Sequence, residues 1–293
     1  MDPSANTTLT PHEFSPSAQA VSEGLAIRLE SCEISAWQDL YAAAPVAFAQ
    51  AHGLGIERIE TVVMTRCATI PFTHFNCVMN LGLTAPATQQ QLAATLAQYR
   101  HNLIKSFTFY HVPFSKPREL PDWFRSSGFE LTGGWDRIYR DHRALADCAL
   151  PPGDDLEVET VTATTAREWA SFIDTTYGLP TSPWLLALVG RPGWHHYILR
   201  QRRQCVAARS MYMHHDGMVW FGIDAPVPGV MAPSFDWDLR LCQAMVRDAL
   251  ALGAQCFVAD IEAPSPQMET TAYRHFASLG FRGAYFRGHY RRG

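Results

Sequence analysis

The sequence predicts an α/β (α+β) protein with mixed sheets, built from two similar units in tandem, and two observations support this. Strand-like and helix-like segments alternate along almost the whole chain, and their order in the first half repeats in the second. The chain has 293 residues, of which 47% are apolar, enough to bury two cores. We therefore expect a loose tail at residues 1–23, one unit at residues 24–150 and another at residues 151–293.

The first unit follows a segment rich in Ser, Thr, Pro and Ala, which is typical of a loose tail. Apolar positions at helical spacing predict helix in residues 32–53, and strand-like segments follow in RIETVVMTR and FNCVMNLGL. Thr88 predicts a helix start at ATQQQLAATLAQYRHN, because its hydroxyl can cap the first turn. The strand KSFTFYHV and then a helix, a Gly-Phe break and a strand in DWFRSSGFELTGGWDRIYRD complete this half.

The second unit follows the Pro- and Gly-rich residues 151–155 and repeats the same order. VETVTATTAREWASFIDTTYG predicts a strand and a helix. The segments CVAARSMYMHH and MVWFGIDA predict a hairpin, because Asp216 and Gly217 between them accept the positive φ of a tight turn. A Pro- and Gly-rich loop, the helix DLRLCQAMVRDALALG and the strand AQCFVAD come next, before the closing helix METTAYRHFASLGF and strand YFRGHY.

This order, with the stretches DALALGAQCFVAD, AYRHFASLGFRGAYFRGHY and WFRSSGF, resembles the GNAT superfamily of N-acyltransferases. The resemblance covers nearly everything after residue 25. It implies two tandem GNAT-like domains, each a mixed, mostly antiparallel sheet flanked by helices. It further implies an enzyme that moves an acyl group from a pantetheine-linked thioester to the amine of a small molecule. The chemistry would lie in the C-terminal domain, with the N-terminal domain as support and acceptor wall.

The resemblance also implies where the donor binds. In this superfamily the pantetheine arm lies between two splayed parallel strands, and the matching strand here is residues 219–224. Phe221, Gly222 and Ile223 are therefore implied contacts of the arm, with Arg240 at the following helix.

The phosphate-binding loop departs from the family's pattern of Gln/Arg-x-x-Gly-x-Gly/Ala. Residues 226–239 contain one glycine and three prolines, which offer no amide donor, and they place Asp236 and Asp238 at the helix start. A carboxylate about 5 Å from a phosphate charge costs roughly 3 kcal/mol at an effective dielectric near 20. The corresponding stretch of the first unit, LGLTAPATQQQLAATL, offers no substitute.

Three accounts of the donor follow. We favour an acyl carrier protein, whose phosphopantetheine arm brings no adenosine diphosphate, and this donor points to bacterial secondary metabolism. The alternatives are an acyl-CoA-dependent N-acetyltransferase and a non-catalytic binding protein that has kept the fold. No tightly bound cofactor is expected. Carrier proteins are acidic, so the docking surface should be basic, and the candidates are Arg200, Arg202, Arg203, Arg240 and Arg247.

Candidate catalytic residues follow from the needs of acyl transfer, which are a proton acceptor for the amine and a proton donor for the leaving thiolate. Asp224, at the end of the matching strand, is our candidate acceptor. The family's tyrosine position holds Phe276, so we predict that Tyr273 or His275 donates to the thiolate. For the acceptor pocket we predict contacts from Asn76 and His74 of the first unit, and aromatic walls from Trp184 and Trp237.

Other classes of function are disfavoured. The net charge of −4 with interspersed signs argues against nucleic-acid binding. The sequence contains no window of about 18 apolar residues, the length that a membrane-spanning helix needs. The amino terminus lacks a basic and then apolar segment, so we expect a cytoplasmic protein. The doublets His195-His196 and His214-His215 suggest a metal, but adjacent strand residues point to opposite faces, and we predict none.

Overall fold

The fold alternates helices with strands, as the pattern of the sequence predicts. A computed structural model of the chain describes residues 21–144, 155–226, 234–263 and 271–292. The helices among them are α1 (Glu23–Ala42), α2 (Val46–His52), α3 (Gln89–His101), α4 (Leu120–Ser126), α5 (Ala166–Tyr177), α6 (Ser182–Leu186), α7 (Ser234–Ala251) and α8 (Thr271–Ser278). The strands are β1 (Gly55–Ile59), β2 (Val62–Arg66), β3 (Cys77–Met79), β4 (Thr108–His111), β5 (Phe129–Asp141), β6 (Leu156–Thr160), β7 (Trp194–Gln201), β8 (Gln204–Met213), β9 (Met218–Pro226), β10 (Cys256–Ala263) and β11 (Arg282–Arg292).

Local sequence signals account for several of these boundaries. Ser22 caps α1, since its Oγ accepts a hydrogen bond from the Leu25 backbone N–H at 3.2 Å. Thr88 caps α3 in a capping box with Gln91, which confirms the predicted helix start. β8 and β9 pair antiparallel across the predicted Asp-Gly turn.

The strands form one sheet in the order β1-β2-β3-β4-β11-β5-β10-β9-β8-β7-β6. The pairs β3–β4 and β9–β10 are parallel, and the other neighbouring pairs are antiparallel. The predicted mixed, mostly antiparallel architecture flanked by helices is therefore confirmed, and the sheet runs without a break through both halves of the chain.

The two halves exchange their last strands. β11, from the second half, lies between β4 and β5, which belong to the first half, and β5 in turn pairs with β10 of the second half. The sheet centre is thus woven from both halves. The predicted boundary at residues 151–155 falls largely outside the described residues, and the division into two domains stays a prediction.

The helices cover the sheet in apolar clusters. One cluster joins α1, α5 and α6 to Trp220, Ala225 and Val258. A second joins α7 and α8 to neighbouring residues of the same strands, among them Val219 and Phe257, which side-chain alternation places on the opposite face. A third packs α3 and α4 against β2, β3 and β4. None of the described helices is both long and apolar enough to span a bilayer.

A buried charge cluster lies where α1 meets the exchanged strands, and it consists of Glu30, Glu33, Arg137, Asp260 and Arg287. Arg137 donates to Glu30 Oε1 from Nε at 3.1 Å and from Nη2 at 2.8 Å, and to Asp260 Oδ2 from Nη1 at 3.0 Å. Arg287 donates to Glu30 Oε2 and to Asp260 Oδ2, each at 3.2 Å. Both guanidinium groups also bond Glu33. The charge cluster therefore ties α1 to β5, β10 and β11.

The charge cluster is unbalanced, because three carboxylates face two guanidinium groups and leave one excess negative charge when all are ionised. Burial alone would raise the pKa of Glu33, but Arg137 and Arg287 outweigh it and hold that pKa well below its usual value. Burial raises the pKa of Asp260 to about 6, and the same two arginines offset this only in part. The excess charge is thus least stable on Asp260.

We predict that Arg287→Met lowers the free energy of unfolding by about 3–5 kcal/mol, because it leaves buried carboxylates without a partner. Urea denaturation followed by circular dichroism measures the effect. Arg118→Met is the matched control, since Arg118 is exposed, and its effect should stay within about 0.5 kcal/mol. Equal stability of the two variants would show that the charge cluster does not hold the exchanged strands.

Candidate functional site

The candidate site begins where the parallel strands β9 and β10 diverge. Their paired register runs from Met218 with Cys256 to Trp220 with Val258, and both strands continue beyond it, to Pro226 and Ala263. On its other side β9 stays paired with β8. The divergence therefore opens a cleft in the sheet, with the backbone of β9 forming one edge.

A β-bulge lies on that edge. Ser210 pairs with Gly222 and Ala208 with Ala225, so that Ile223 and Asp224 together face the single residue between them on β8. Ile223 has a φ of 48°, a left-handed conformation that is strained for a β-branched side chain. Such strain of about 1–3 kcal/mol persists only where the surroundings impose it, and bulges commonly redirect backbone groups at functional sites.

Gly222 is required by close packing at the bulge. A Cβ atom at this position would lie 2.0 Å from the ring of Trp220. That ring cannot yield easily, because it is buried and contacts the rings of Trp37 and Trp194, with centroids 6.3 and 6.4 Å away. Trp220 and Gly222 thus shape the floor of the cleft together.

The cleft opens into a cavity of about 450 Å³ on the α1 side of the sheet. Its walls are predominantly aromatic and come from both halves of the chain. The aromatic lining residues are Trp37, Phe72, His74, Phe75, Trp135, Tyr177, Trp184, Trp220 and Phe221. The cavity has the size and the mostly apolar lining that are usual for small-molecule sites.

A small number of polar groups faces this aromatic space. Asp260 lines the cavity with a side chain 15% exposed, and its Oδ1 has no hydrogen-bond partner among the described residues, although Oδ2 bonds two arginines. The buried Trp220 Nε1 likewise has no partner among them. Glu33, Asp224 and Glu262 also line the cavity. Because Asp260 Oδ1 and Trp220 Nε1 are both inaccessible to solvent, what the site offers a ligand is the carboxylate side chains that line it, which suit a cation.

Arg209 lies opposite the bulge and connects the cleft to α7. Its Nε is 3.0 Å from Asp238 Oδ1 and its Nη2 is 3.8 Å from Asp224 Oδ2, while Nη1 donates to Cys242 Sγ at 3.1 Å. Burial raises the pKa of Asp238, and Arg209 offsets only part of this effect. An ion pair thus occupies the first turns of the helix that follows the unusual loop.

Six residues predicted from the sequence lie together at this cavity: Phe221, Gly222, Ile223, Asp224, His74 and Trp184. Trp184 donates from Nε1 to the Leu40 carbonyl at 2.6 Å, so its indole is fixed as a wall. His74 stacks on Trp135 with ring centroids 4.7 Å apart, and burial lowers its pKa to about 4. His74 is therefore neutral at physiological pH.

Asn76, Tyr273, His275 and Arg240 are not among the described residues that line the cavity. Asn76 accepts from the Cys67 N–H at 2.7 Å and donates to its carbonyl at 3.2 Å, so its amide is committed to backbone. Tyr273 is buried in the apolar cluster of α7 and α8. His275 is half-buried, and its proximity offsets a small part of the rise that burial causes in the pKa of Asp238. Arg240 is buried on α7. The side chain of Trp237 lies outside the described residues.

Sequence reasoning missed Asp260, Arg209, Trp220 and Tyr177. Asp260 follows the apolar run CFVA, which predicts a buried strand, and a carboxylate in such a strand was the available signal. Tyr177, at the end of α5, donates from its hydroxyl to the Asp224 carbonyl at 2.6 Å and so holds the bulge.

A metal centre is not evident in the described part of the chain, where no three His, Cys, Asp or Glu side chains gather suitably for a metal ion. One histidine of each doublet already has a hydrogen-bonding neighbour. His196 is buried and its Nδ1 is 2.8 Å from Ser210 Oγ, and His214 Nδ1 is 2.9 Å from Asp216 Oδ1.

Comparison with solved structures identifies the fold. The chain is similar to a GCN5-related N-acetyltransferase from Kribbella flavida (TM-score 0.61, 12% identity, 92% of this chain and 95% of that one). It is also similar to a GCN5-related N-acetyltransferase from Sphaerobacter thermophilus (TM-score 0.59, 12% identity, 94% of both chains). A third similar structure is a tandem GNAT protein from the clavulanic acid biosynthesis pathway (TM-score 0.53, 12% identity, 95% of this chain and 97% of that one). No family model and no curated protein sequence matches. The chain thus has the fold of these GNAT proteins.

We predict that Gly222→Ala lowers the free energy of unfolding by about 1–3 kcal/mol, because the new methyl group meets the Trp220 ring. Thermal and urea unfolding measure this. Gly24→Ala is the control, since Gly24 lies in α1 with open space around it, and stability there should be unchanged or higher by up to about 1 kcal/mol. If Gly222→Ala is as stable as the parent, the packing of Trp220 on the bulge is not constraining.

Proposed function

We propose that the chain is an N-acyltransferase that moves an acyl group from a pantetheine-linked thioester to the amine of a small molecule. The observation that carries the proposal is the cleft between β9 and β10, with its bulge, opening into an aromatic cavity of about 450 Å³. The GNAT fold of the whole chain supports the same class of reaction. The second half would supply the chemistry, and the first half part of the acceptor wall.

The donor arm would lie along β9 beyond Trp220, where this strand has left β10. Pantetheine contains two amides, which are suited to hydrogen bonds with a free strand edge. Backbone N–H groups at the bulge, around residues 222–224, are candidates to polarise the thioester carbonyl. Tyr177 would keep the bulge in place through its bond to the Asp224 carbonyl.

The acceptor amine would bind in the cavity beside Asp260, which replaces Asp224 as our preferred proton acceptor. The Asp260 side chain lines the cavity and is only 15% exposed, whereas the Asp224 side chain is 55% exposed. The ammonium first loses a proton, and the free amine then forms the C–N bond as the C–S bond breaks. The nitrogen loses a second proton and the thiolate gains one, so that the reaction releases one proton in all.

The donor is proposed to be an acyl carrier protein. The first turns of α7, where a diphosphate would lie, hold the Asp238 carboxylate in an ion pair with Arg209. Introducing phosphates there would set like charges against each other. A carrier-bound arm avoids this conflict, and acyl-CoA is the alternative donor. Carrier-bound acyl groups are used in bacterial secondary metabolism. The similar tandem GNAT protein of the clavulanic acid biosynthesis pathway supports the same setting.

A basic turn at the mouth of the cleft supports docking of an acidic carrier. Arg202 and Arg203 form the β7–β8 turn, both with positive φ. The Arg202 side chain is 83% exposed, and its Nε lies 3.2 Å from Asp155 Oδ2 in a solvent-exposed ion pair of the kind that contributes little. Because Ala207 pairs with Pro226 at the end of β9, the turn lies on the same end of the sheet, about 13 Å further along. Arg200 is less available, since it pairs with both Glu159 and Glu168.

We predict that acyl-pantetheine and acyl-CoA are used with kcat/KM values within about threefold of each other, because the nucleotide gains little at this helix, whereas an acyl carrier protein is at least tenfold better. Intact-mass spectrometry of the carrier and chromatography of products, with a pool of amines, measure this. Arg202→Glu should reduce use of the carrier but not of acyl-pantetheine. Acyl-CoA better than acyl-pantetheine by a hundredfold would establish the alternative donor. Absence of transfer from every donor would favour a non-catalytic binding protein.

We predict that Asp260→Asn lowers kcat/KM by about 10²–10⁴-fold, as loss of a general base does. Below pH 6 the parent should lose activity more steeply, with the slope of log kcat/KM against pH larger by one than above pH 6. The reason is that Asp260, with its pKa of about 6, becomes protonated there and no longer accepts a proton. The variant should lack this break. Its fold should tolerate the change, because burial already favours the neutral form of this group.

Glu130→Gln, at an exposed carboxylate, controls for loss of one negative charge and should leave the pH profile unchanged. An unaltered break near pH 6 in Asp260→Asn would assign proton transfer to another group.

A further inference from the structure

We infer that the acceptor is a cationic amine with a flat, apolar body and no carboxylate or phosphate group, of which the arylalkylamines are the simplest class. The inference rests on the proposed function of the cavity and specifies its substrate. Three features carry it: the uncompensated charge behind the cavity, the aromatic walls, and the state of the one arginine that lines it.

The uncompensated charge belongs to the cluster of Glu30, Glu33, Arg137, Asp260 and Arg287. Its three carboxylates and two guanidinium groups leave one negative charge in excess. The member of the cluster that lines the cavity with a partly exposed side chain is Asp260, which is 15% exposed. A substrate ammonium beside this carboxylate balances the cluster, whereas a neutral alcohol leaves it unbalanced.

The aromatic walls suit both parts of such a molecule. Ring pairs contact one another around the cavity, with centroid separations of 5.8 Å for Phe72 and Tyr177, and of 5.2 Å for Phe75 and Trp184. A flat ring of the substrate, placed against these wall rings, buries apolar area in offset or edge contacts worth about 0.5–1.5 kcal/mol each. The faces of these rings also attract a cation by about 0.5–2 kcal/mol.

Anionic substituents have no anchor here. Among the described lining residues the only arginine or lysine is Arg209, and it already pairs with Asp238 and approaches Asp224. Glu33, Asp224, Asp260 and Glu262 all line the same space. A carboxylate on the substrate would therefore meet like charges without compensation. Amino acids and phosphorylated amines are thus excluded as acceptors.

Binding without any donor tests the inference apart from catalysis. The probes are 2-phenylethylamine, phenylalanine, 2-phenylethanol and ethylamine, which vary the charge and the ring one at a time. Isothermal titration calorimetry at pH 7.5 measures their affinities, and quenching of tryptophan fluorescence locates the binding. We expect 2-phenylethylamine to bind at least tenfold more tightly than each of the others. Equal or tighter binding of phenylalanine or 2-phenylethanol would overturn the inference, as would equal binding of ethylamine.

Two variants connect the affinity to the residues named. Asp260→Asn should weaken 2-phenylethylamine at least tenfold and leave 2-phenylethanol unchanged, which a general loss of structure would not do. Phe72→Leu keeps an apolar side chain but removes a ring from the wall, and should weaken 2-phenylethylamine about threefold to tenfold. Phe114→Leu is its control, because Phe114 is half-buried and packs on Tyr285 away from the cavity lining. Unchanged affinity in Asp260→Asn would overturn the charge argument.

The outcomes separate this inference from the proposed reaction. Selective binding of 2-phenylethylamine without acyl transfer from any donor would preserve the ligand class and remove the enzymatic function. Acyl transfer to amino acids or aminoalkyl phosphates in preference to 2-phenylethylamine would preserve the function and overturn the ligand class.

Discussion

Two glutamates of α1 form a buried contact with arginines of β5 and β11, and this contact ties the centre of the sheet to its first helix. β11 crosses from the second half into the first, and Arg287 on it meets the same carboxylates as Arg137 on β5. Charges removed from water cost several kcal/mol each unless they are fully paired. Misplacement of either strand would leave them unpaired, so the charge cluster favours one register for the exchanged strands.

The same cluster sets the electrostatics of the cavity. Since its third carboxylate, Asp260, is shared between structure and site, the arginines that hold the sheet together also govern how readily this group ionises. A carboxylate with a pKa of about 6 is ionised at neutral pH and still accepts a proton more readily than an ordinary aspartate. In the proposed reaction stability and proton transfer would therefore be coupled at Asp260, and a change to either arginine would alter both.

Local signals in the sequence predicted most elements, and long-range contacts account for what it could not predict. Thr88 and the Asp216-Gly217 turn act within a few residues of themselves, so their consequences can be read directly. The pairing of Glu30 with Arg287 joins residues 257 positions apart, and nothing near either one indicates the other. Asn76 also depends on contacts that its local sequence does not indicate, because its amide bonds the backbone N–H and carbonyl of Cys67, nine residues away.

The resemblance of residues 219–224 to the donor-binding strand predicted where the cleft lies. The cavity could not be predicted in the same way, because part of its lining comes from the first half of the chain. Phe221, Gly222 and Ile223 follow from a motif within one unit, whereas Trp37 and Trp135 reach the cavity from elements before the tandem boundary. A site completed by two halves can change its acceptor through one half while the donor edge of the other stays intact. The strained bulge on β9 belongs to the second half, whereas the charge cluster draws Glu30, Glu33 and Arg137 from the first half, and in the proposed reaction the aromatic wall of the first half is where specificity would diverge.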